Sequence, residues 1–340
     1  MSTVDGAEMA TEGRSWRAHE FGDPQDVLKL ENVTWEPPTP DRLLVRVAAC
    51  GVGLPDLLMV QGRYPLTRTP PIQPGQEVVG VVVEAGADAH FRVGDRVMGL
   101  TPFPEGHGGF GDHAYVRASK ALLAPSTLSD AEAAGFMIGF RTAHAALISR
   151  LTVHAGQTVA VLGASGSSGL AAIALAKAVG ARVIAVGSSV EKLTYCAEAG
   201  ADDCINHRTS DVGDELLALT GGIGVDILFD PVGGAVAVQA IKGVRSRGSV
   251  AVIGFASGSW IDAAMDDVVL RNLALVGVFA GGFSVEEDAE MNRTLLEMAE
   301  QGRIRPALGS SYAFAEVPDV LHRLEQGIPP GKITVHVDGS

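Results

Sequence analysis

The stretch TVAVLGASGSSGLAAIALAKAVGARVIAVGSS, residues 158–189, predicts the fold of this chain. In it, a short apolar strand, a glycine-rich turn, a helix of small residues and a second apolar strand follow one another. Gly163, Gly166 and Gly169 give G-x-x-G-x-x-G, a spacing variant of the dinucleotide motif G-x-G-x-x-G. Such glycines let the backbone approach a pyrophosphate, whose charge rests on N–H groups at the helix N-terminus. We therefore predict dinucleotide binding, and Ser167 in the fifth position excludes a G-x-S-x-G hydrolase elbow.

The end of the second strand indicates which dinucleotide binds. An NAD enzyme usually carries Asp or Glu there to hold the ribose 2′-hydroxyl. This chain has Gly187-Ser188-Ser189 instead, and Lys192 follows in the next helix. Because hydroxyl groups and an ammonium suit a 2′-phosphate, the sequence favours NADP(H). Two simpler interpretations stay open: Ser188 and Glu191 have the spacing of a helix capping box, and Lys192 has the place of a solvated helix residue.

The pattern on either side of this stretch predicts an α/β protein of two domains. From about Arg141 to Gly282, short apolar strands alternate with helices, which implies a doubly wound parallel sheet. The first part is β-rich, with alternating strands at 41–50 and 77–86. We expect a β-rich catalytic domain over 1–139, with residues 1–15 a loose leader, a cofactor-binding domain over 140–282, and a return of 283–340 to the first domain.

Composition and charge limit the partners of the protein. The 340 residues carry a net charge of -14, so the surface repels nucleic acid and anionic lipid, and we expect neither as a partner. The three cysteines, Cys50, Cys196 and Cys204, lack CxxC spacing and fit a reducing compartment. The N-terminus lacks the pattern of a signal peptide, so we expect a cytoplasmic protein. The uncharged run 151–176 contains the turn GASGSSG, which favours strand-turn-helix over a membrane helix.

Several further segments identify a family. They are CGVGLPDLLMVQGRYP (50–65), PGQEVVGVVVEAG (74–86), GDRVMGL (94–100), GGFGDHAYV (108–116), DPVGG (230–234), IGFASG (253–258) and GKITV (331–335). With 158–189 they resemble the medium-chain dehydrogenase/reductase superfamily, and within it the zinc-free quinone oxidoreductase (zeta-crystallin-like) branch. The resemblance covers about Trp16 to Val337 and implies a GroES-like β-rich catalytic domain plus a Rossmann domain, with the active site in the cleft between them.

The resemblance also bears on whether CGVGLPD, residues 50–56, begins a zinc site. In zinc-dependent relatives the three ligands fall where this chain has Gly53, Gln76 and, nearby, Ile138. Catalytic zinc needs three protein ligands with nitrogen, sulfur or oxygen donors, and Gly53 and Ile138 have no donor side chain. We therefore expect no metal, and we interpret Cys50 as a small apolar residue that closes a strand.

Without a Lewis acid, the chemistry has to need little polarisation of the substrate. Hydride transfer from NADPH to a quinone or an α,β-unsaturated carbonyl qualifies, because the acceptor delocalises the incoming charge. This is the activity that the resemblance implies. An enoyl-thioester reductase and a non-enzymatic NADPH-binding protein with a structural or regulatory role stay open as alternatives.

The resemblance assigns cofactor-binding roles to single residues. They are the pyrophosphate turn Gly163, Ala164, Ser165, Gly166, Ser167, Ser168 and Gly169; the 2′-phosphate residues Gly187, Ser188 and Lys192; His207 near the adenosine phosphate; Thr142 near the nicotinamide; the cofactor wall Val232, Gly254, Phe255 and Ala256; and Phe279 and Lys332 in segments that close over it.

Three residues are candidates for the acceptor side. Tyr64 matches a tyrosine at the quinone cleft, where it is a candidate to donate a hydrogen bond to a substrate oxygen. The alternative is a loop tyrosine that is half packed on the surface. Asp56 is expected to orient the 50–65 loop rather than to act as a base. Gly53 replaces the usual asparagine of the branch, which removes a polar contact and enlarges the pocket. Arg141 stands where relatives carry a small residue.

An apolar strand at 272–279 predicts the oligomeric state. Relatives commonly join their Rossmann sheets at this edge, and an apolar edge strand left bare is an aggregation risk. We therefore expect a homodimer.

Overall fold

A computed structural model of the chain describes residues 10–67, 69–326 and 330–337. These residues divide into two compact units. The first contains the described residues up to Met137, followed by 310–326 and 333–337; the second contains Ile138–Gly309 and 330–332.

The first unit is built on an antiparallel sheet whose central strands are largely buried. Strand β3 is central and pairs with β4 and with β6. Strand β4 pairs in turn with β5, and β5 pairs with β7. The elements up to Met137 are β1 (Thr11–Ala18), α1 (Pro24–Val27), β2 (Leu28–Trp35), β3 (Arg42–Val52), α2 (Leu54–Val60), β4 (Glu77–Ala85), β5 (Arg96–Leu100), β6 (His113–Arg117), β7 (Ala121–Leu123) and α3 (Asp130–Ala134).

Strand β1 corrects the expectation of a loose leader. Residues 1–9 lie outside the described part, but from Thr11 onward the chain pairs with β2. Ser15 is fully buried and donates to the carbonyl of Phe110, and Arg14 forms an ion pair with Asp112. The leader expectation is therefore wrong for residues 11–15, because they pair with β2 and because Ser15 and Arg14 bind residues 95 and 98 positions along the chain.

The second unit confirms the predicted doubly wound sheet. In the described residues its strands are all parallel, in the order β10-β9-β8-β11-β12-β13. Its elements are α4 (Met137–His144) with a π-helical turn (Ala145–Arg150), β8 (Thr158–Val161), α5 (Ser167–Ala178), β9 (Arg182–Gly187), α6 (Val190–Glu198), β10 (Asp203–Asn206), α7 (Val212–Leu219), β11 (Val225–Asp230), α8 (Gly234–Lys242), β12 (Val244–Val252), α9 (Met265–Leu270), β13 (Ala274–Gly277) and α10 (Val285–Glu300).

The order of these strands reverses between β8 and β11. In open parallel sheets, ligands bind outside the carboxyl ends of the strands at such a reversal. The glycine turn after β8 and the Asp230 turn after β11 are therefore neighbours at the position where a nucleotide site is expected.

The C-terminal part differs from the sequence expectation in its boundary. Helix α10 belongs to the second unit, because it buries Met291 and Leu295 and its Asp288 pairs with Arg141 of α4. Residues 310–326 lie in the first unit, where Trp16 donates to the carbonyl of Phe314. The last elements are β14 (Leu308–Ala313), α11 (Val317–Gln326) and β15 (Lys332–His336), and β15 pairs antiparallel with β3.

The uncharged run 151–176 folds as expected, with β8 and α5 separated by the glycine turn. In the part of the chain that the structure describes, no helix is both long and apolar enough to cross a membrane.

Candidate functional site

The glycine turn after β8 is shaped by two close approaches. Gly163 has a φ of +56°, which favours glycine, and a Cβ there would lie 2.8 Å from Cγ2 of Val232. A Cβ on Gly169 would lie 2.6 Å from the carbonyl oxygen of Gly163 and 2.7 Å from Cα of Ala164. Gly166 donates to the carbonyl of Gly163 at 3.0 Å and closes the turn. Helix α5 therefore packs directly against the turn.

The N-terminus of α5 has unused hydrogen-bonding capacity. Gly166 is the N-cap residue and supplies no side-chain cap, so the first N–H groups of the helix lack that partner. The Oγ atom of Ser167 is buried and has no hydrogen-bond partner among the described residues. Gly163 and Gly166 are exposed. A diphosphate fits this arrangement, because it would accept from both kinds of donor beside bare backbone.

The adjacent turn after β11 is held by a buried carboxylate. Asp230 is 0% exposed, and its Oδ1 accepts from the backbone N–H groups of Val232, at 2.9 Å, and Gly233, at 2.7 Å. Burial raises the pKa of Asp230, while these two N–H donors act in the opposite direction. Because Asp230 fixes Val232, and Val232 lies against Gly163, the carboxylate positions one wall of the glycine turn.

A second loop, after β12, adds to this wall. Gly254 donates to the carbonyl of Asp230 at 3.3 Å, and Ala256 donates to that of Pro231 at 3.2 Å. The ring of Phe255 lies 4.8 Å from that of Trp260. The four residues predicted as the cofactor wall therefore lie together at the carboxyl ends of β11 and β12.

A cavity of about 640 Å³ opens at the carboxyl ends of β12 and β13. Phe279 stands on its wall and is largely exposed. The cavity is lined by apolar and aromatic side chains with a few charged ones, namely Arg150, Val252, Ile253, Trp260, Val278, Phe279, Phe283 and Glu287. Such a lining suits a flat, mostly apolar ring that carries a polar substituent.

The carboxyl ends of β9 and β10 gather the residues predicted for a 2′-phosphate. His207 donates its backbone N–H to the carbonyl of Gly187. Burial lowers the pKa of His207, and the charges of Arg208 and, to a smaller extent, Lys192 lower it further. The capping-box interpretation of Ser188 and Glu191 is wrong, because the N-cap of α6 is Ser189, whose hydroxyl accepts from the N–H of Lys192.

Two further predicted residues lie in segments beside the turn. Gly139 of α4 approaches the N-terminus of α5, where a Cβ would lie 3.1 Å from the carbonyl oxygen of Ser167, and Thr142 follows three residues later. Gly331 donates to the carbonyl of Ser165 at 3.1 Å. The next residue, Lys332, is buried.

The three acceptor-side candidates lie in the first unit. Asp56 is 2% exposed and accepts from the N–H of Gly53 at 2.9 Å through Oδ2 and from the N–H of Gly75 at 3.0 Å through Oδ1. Both carboxylate oxygens thus hold backbone, as expected of a residue that orients the loop. A Cβ on Gly53 would meet its nearest atom, Cδ of Pro55, at 3.4 Å, which is an ordinary van der Waals contact.

Tyr64 is partly buried and packs against Phe103, with 6.2 Å between ring centroids. Burial raises the pKa of the Tyr64 hydroxyl, a hydrogen bond with the side chain of Gln76 lowers it, and the charge of Asp56 raises it again. Tyr64 is therefore protonated at neutral pH and able to donate a hydrogen bond.

Cys50 lies within β3, is fully buried and donates its thiol to the carbonyl of Gly109. Burial raises the pKa of this thiol well above its usual value, so Cys50 is a packed thiol as predicted. Over residues 10–67, 69–326 and 330–337, no group of three or more His, Cys, Asp or Glu side chains is arranged to hold a metal ion.

Sequence reasoning missed two residues of this site. Asp230 was quoted only as part of DPVGG, although an acidic residue ending a buried apolar strand is a signal for a backbone-holding carboxylate. Arg208 follows His207 directly, and its charge acts on His207 together with that of Lys192. Nothing in the sequence singled it out, because its importance depends on the nearness of β9 and β10.

Comparisons with known proteins give consistent matches. Residues 39–126 match the family model described as the alcohol dehydrogenase GroES-like domain, and residues 169–300 match that of zinc-binding dehydrogenases. Quinone oxidoreductase-like protein 2 of Bos taurus is 31% identical over 326 residues, which cover 94% of this chain and 92% of that protein.

Two solved structures share the fold along nearly their whole length. A probable oxidoreductase from Mycobacterium abscessus has a TM-score of 0.85 and 30% identity, and the match covers 96% of this chain and 99% of that one. A quinone oxidoreductase from Pseudomonas syringae pv. Tomato DC3000 has a TM-score of 0.87 and 25% identity, with 95% and 99% covered.

The packing of the glycine turn predicts unequal effects of two glycine substitutions. Gly169→Ala should destabilise the protein by about 1–3 kcal/mol, because α5 has to move away from the carbonyl of Gly163. Gly166→Ala is the matched control: its φ is -84° and its nearest contact is 3.3 Å, so the loss should stay within about 1 kcal/mol. Chemical denaturation of both variants measures the difference, and equal losses would contradict the packing argument.

Proposed function

The chain belongs to the quinone oxidoreductase family of the medium-chain dehydrogenase/reductase superfamily, and we propose that it transfers a hydride from NADPH to a quinone or an α,β-unsaturated carbonyl without zinc. The main support is the uncapped N-terminus of α5 at the reversal of the parallel sheet, with Ser167 Oγ buried and unpartnered among the described residues. This end of the helix fits a dinucleotide pyrophosphate.

The residues that would hold the cofactor belong to the second unit. The turn from Gly163 to Gly169 would bind the pyrophosphate, and the loops fixed by Asp230 would line the ring. Bound there, the dinucleotide supplies the hydride. The protein would hold the cofactor in a fixed position. The loops after β11 and β12 are joined by backbone hydrogen bonds, so neither of the two can shift without breaking them.

The acceptor needs one hydrogen-bond donor and no metal. We assign the donor role to the Tyr64 hydroxyl, which burial keeps protonated. One matched family model carries zinc in its description, but Gly53 and Ile138 offer no donor atoms at the positions where zinc-dependent relatives bind the metal. A quinone or enone accepts a hydride without a Lewis acid because its conjugation spreads the charge.

An acceptor panel tests this proposal. The purified protein should oxidise NADPH in the presence of a benzoquinone or a small enone faster than with an enoyl-CoA or a saturated ketone, and preincubation with EDTA should leave the rate unchanged. Gly53→Asn, whose Cβ would meet no atom closer than 3.4 Å, should alter the preference among acceptors without changing NADPH affinity. Tight NADPH binding with no oxidation by any acceptor would refute the enzymatic proposal.

We propose NADPH rather than NADH for two reasons. Strand β9 does not end in the acidic residue typical of NAD enzymes, and the charges of Lys192 and Arg208 both act on His207, which bonds to the last residue of β9. Lys192→Ala should weaken NADPH binding by about tenfold or more, since a charge-assisted hydrogen bond contributes about 1.5–3 kcal/mol, and should leave NADH binding unchanged. Lys177→Ala is the control, because Lys177 pairs with Asp202. Fluorescence titration with both nucleotides decides, and equal affinities of the unsubstituted protein for NADPH and NADH would contradict the assignment.

We propose a homodimer joined at β13. This strand lies at one edge of the parallel sheet, and the surface around it exposes large apolar side chains: Met265 61%, Val269 68%, Leu270 79% and Leu275 37%. A second copy would cover this surface and pair the edge, which is the usual solution to an exposed strand. Sedimentation velocity should show a dimer that Leu275→Lys dissociates and that Ile223→Lys, at another exposed apolar residue, does not. A monomer at all concentrations would overturn the proposal.

A further inference from the structure

Arg141 is a buried cation for which the proposed reaction has no direct use. It is 2% exposed and lies on α4. Its guanidinium donates to Oδ1 of Asp288 and to Oδ1 of Asn292, both on α10, and to the carbonyl oxygen of Ala280 at 3.3 Å. One side chain therefore joins α4, α10 and the segment between β13 and α10.

Stability by itself does not explain this buried ion pair, because removing two charges from water costs free energy. Burial lowers the pKa of Arg141 to about 10, so the group remains charged at neutral pH but has lost its hydration. Asp288 and Asn292 are only 4% and 6% exposed, so the partner groups are desolvated as well. Packed apolar residues often replace such a buried pair without loss of stability, whereas a fork of fixed donors specifies geometry. Two acceptors of Arg141 belong to α10, and the third, the carbonyl of Ala280, is the group through which Arg141 holds the segment before that helix.

Ala280 lies in a tight turn that carries Phe279. Gly282 donates to the carbonyl of Phe279 at 3.0 Å, and Val278 donates to that of Val252 at 2.9 Å. The Phe279 ring lies directly over Gly281, where a Cβ would approach its Cζ atom to 2.7 Å. Phe279 is largely exposed, so burial does little to orient its ring. The orientation of the ring therefore depends on the turn beneath it.

We propose that Arg141 is a positioning residue, which holds the turn Phe279–Gly282 through the Ala280 carbonyl and so sets the aromatic wall of the 640 Å³ cavity. The inference rests on the proposed function and adds to it that this cavity, whose wall includes Ile253 after β12, receives the reactive ring of the dinucleotide. Arg141 touches neither cofactor nor acceptor in this role; it acts through the backbone of Ala280.

The first test is Arg141→Lys. Lysine keeps the charge beside Asp288, but its single ammonium does not reproduce the fork that reaches Asn292 and Ala280 together. We expect amide hydrogen exchange of the peptide covering 279–282 to become about tenfold faster or more in the ligand-free protein, while exchange of the peptide covering 163–169 stays unchanged. We also expect kcat with a quinone to fall by about tenfold, with the KM for the quinone within about twofold.

Two further variants separate positioning from general stability. Arg141→Leu combined with Asp288→Leu removes both charges without leaving either one buried alone, so the protein should fold and still show fast exchange at 279–282. Arg245→Lys is the matched control: Arg245 pairs with Asp226 elsewhere in the same unit, and its replacement should leave the exchange of 279–282 unchanged.

Unchanged exchange at 279–282 in both Arg141 variants would overturn the inference, as would equal acceleration over the whole second unit. The exchange measurement uses no ligand, so it decides the positioning role even if the acceptor panel refutes the proposed function. In the converse case, the protein oxidises NADPH but exchange of the peptide 279–282 is the same in the Arg141 variants. That result would support the proposed function and refute the positioning role of Arg141.

Discussion

The carbonyl oxygen of Gly163 and the Cα of Gly169 approach each other so closely that no side chain fits between them, and the rest of the nucleotide end of the molecule depends on this contact. It seats the N-terminus of α5 directly on the turn that leaves β8. The first N–H groups of the helix have no side-chain cap, and Gly163 and Gly166 beside them are exposed. Anion recognition here needs no charged side chain, because the helix end supplies the donors.

Buried charges in this protein mostly hold backbone in place. Asp230 fixes the turn that carries Val232, and Asp56 fixes Gly53 and Gly75 in the other unit. Arg141 does the same through Ala280. In each case a loop of small residues, which has little packing of its own, is held by a charged group that could not otherwise be buried. In each unit, therefore, a buried ionic group fixes the backbone of a loop.

Two expectations from the sequence are wrong. The capping box assigned to Ser188 and Glu191 has the right spacing, but α6 begins one residue later and Ser189 is its cap. Residues 1–15 were expected to form a loose leader, yet Thr11–Ala18 pairs with β2 and Ser15 bonds to Phe110. The capping error concerns one residue at a helix boundary, where Ser189 accepts from the N–H of Lys192. The leader error has a different cause, because the partner of Ser15 lies far along the chain.

The amino-acid sequence by itself determined the doubly wound sheet, the glycine turn and the family, because strand and helix periodicity and glycine spacing act over a few residues. It also indicated the residues at the ends of β9 and β12, since parallel strands bring their carboxyl ends to one edge. Only the tertiary structure showed which groups Asp230 and Arg141 contact. These contacts depend on which backbone groups and charges lie within about 3 Å in the folded chain, and hydrogen bonding at that range carries no signature in the spacing of residues.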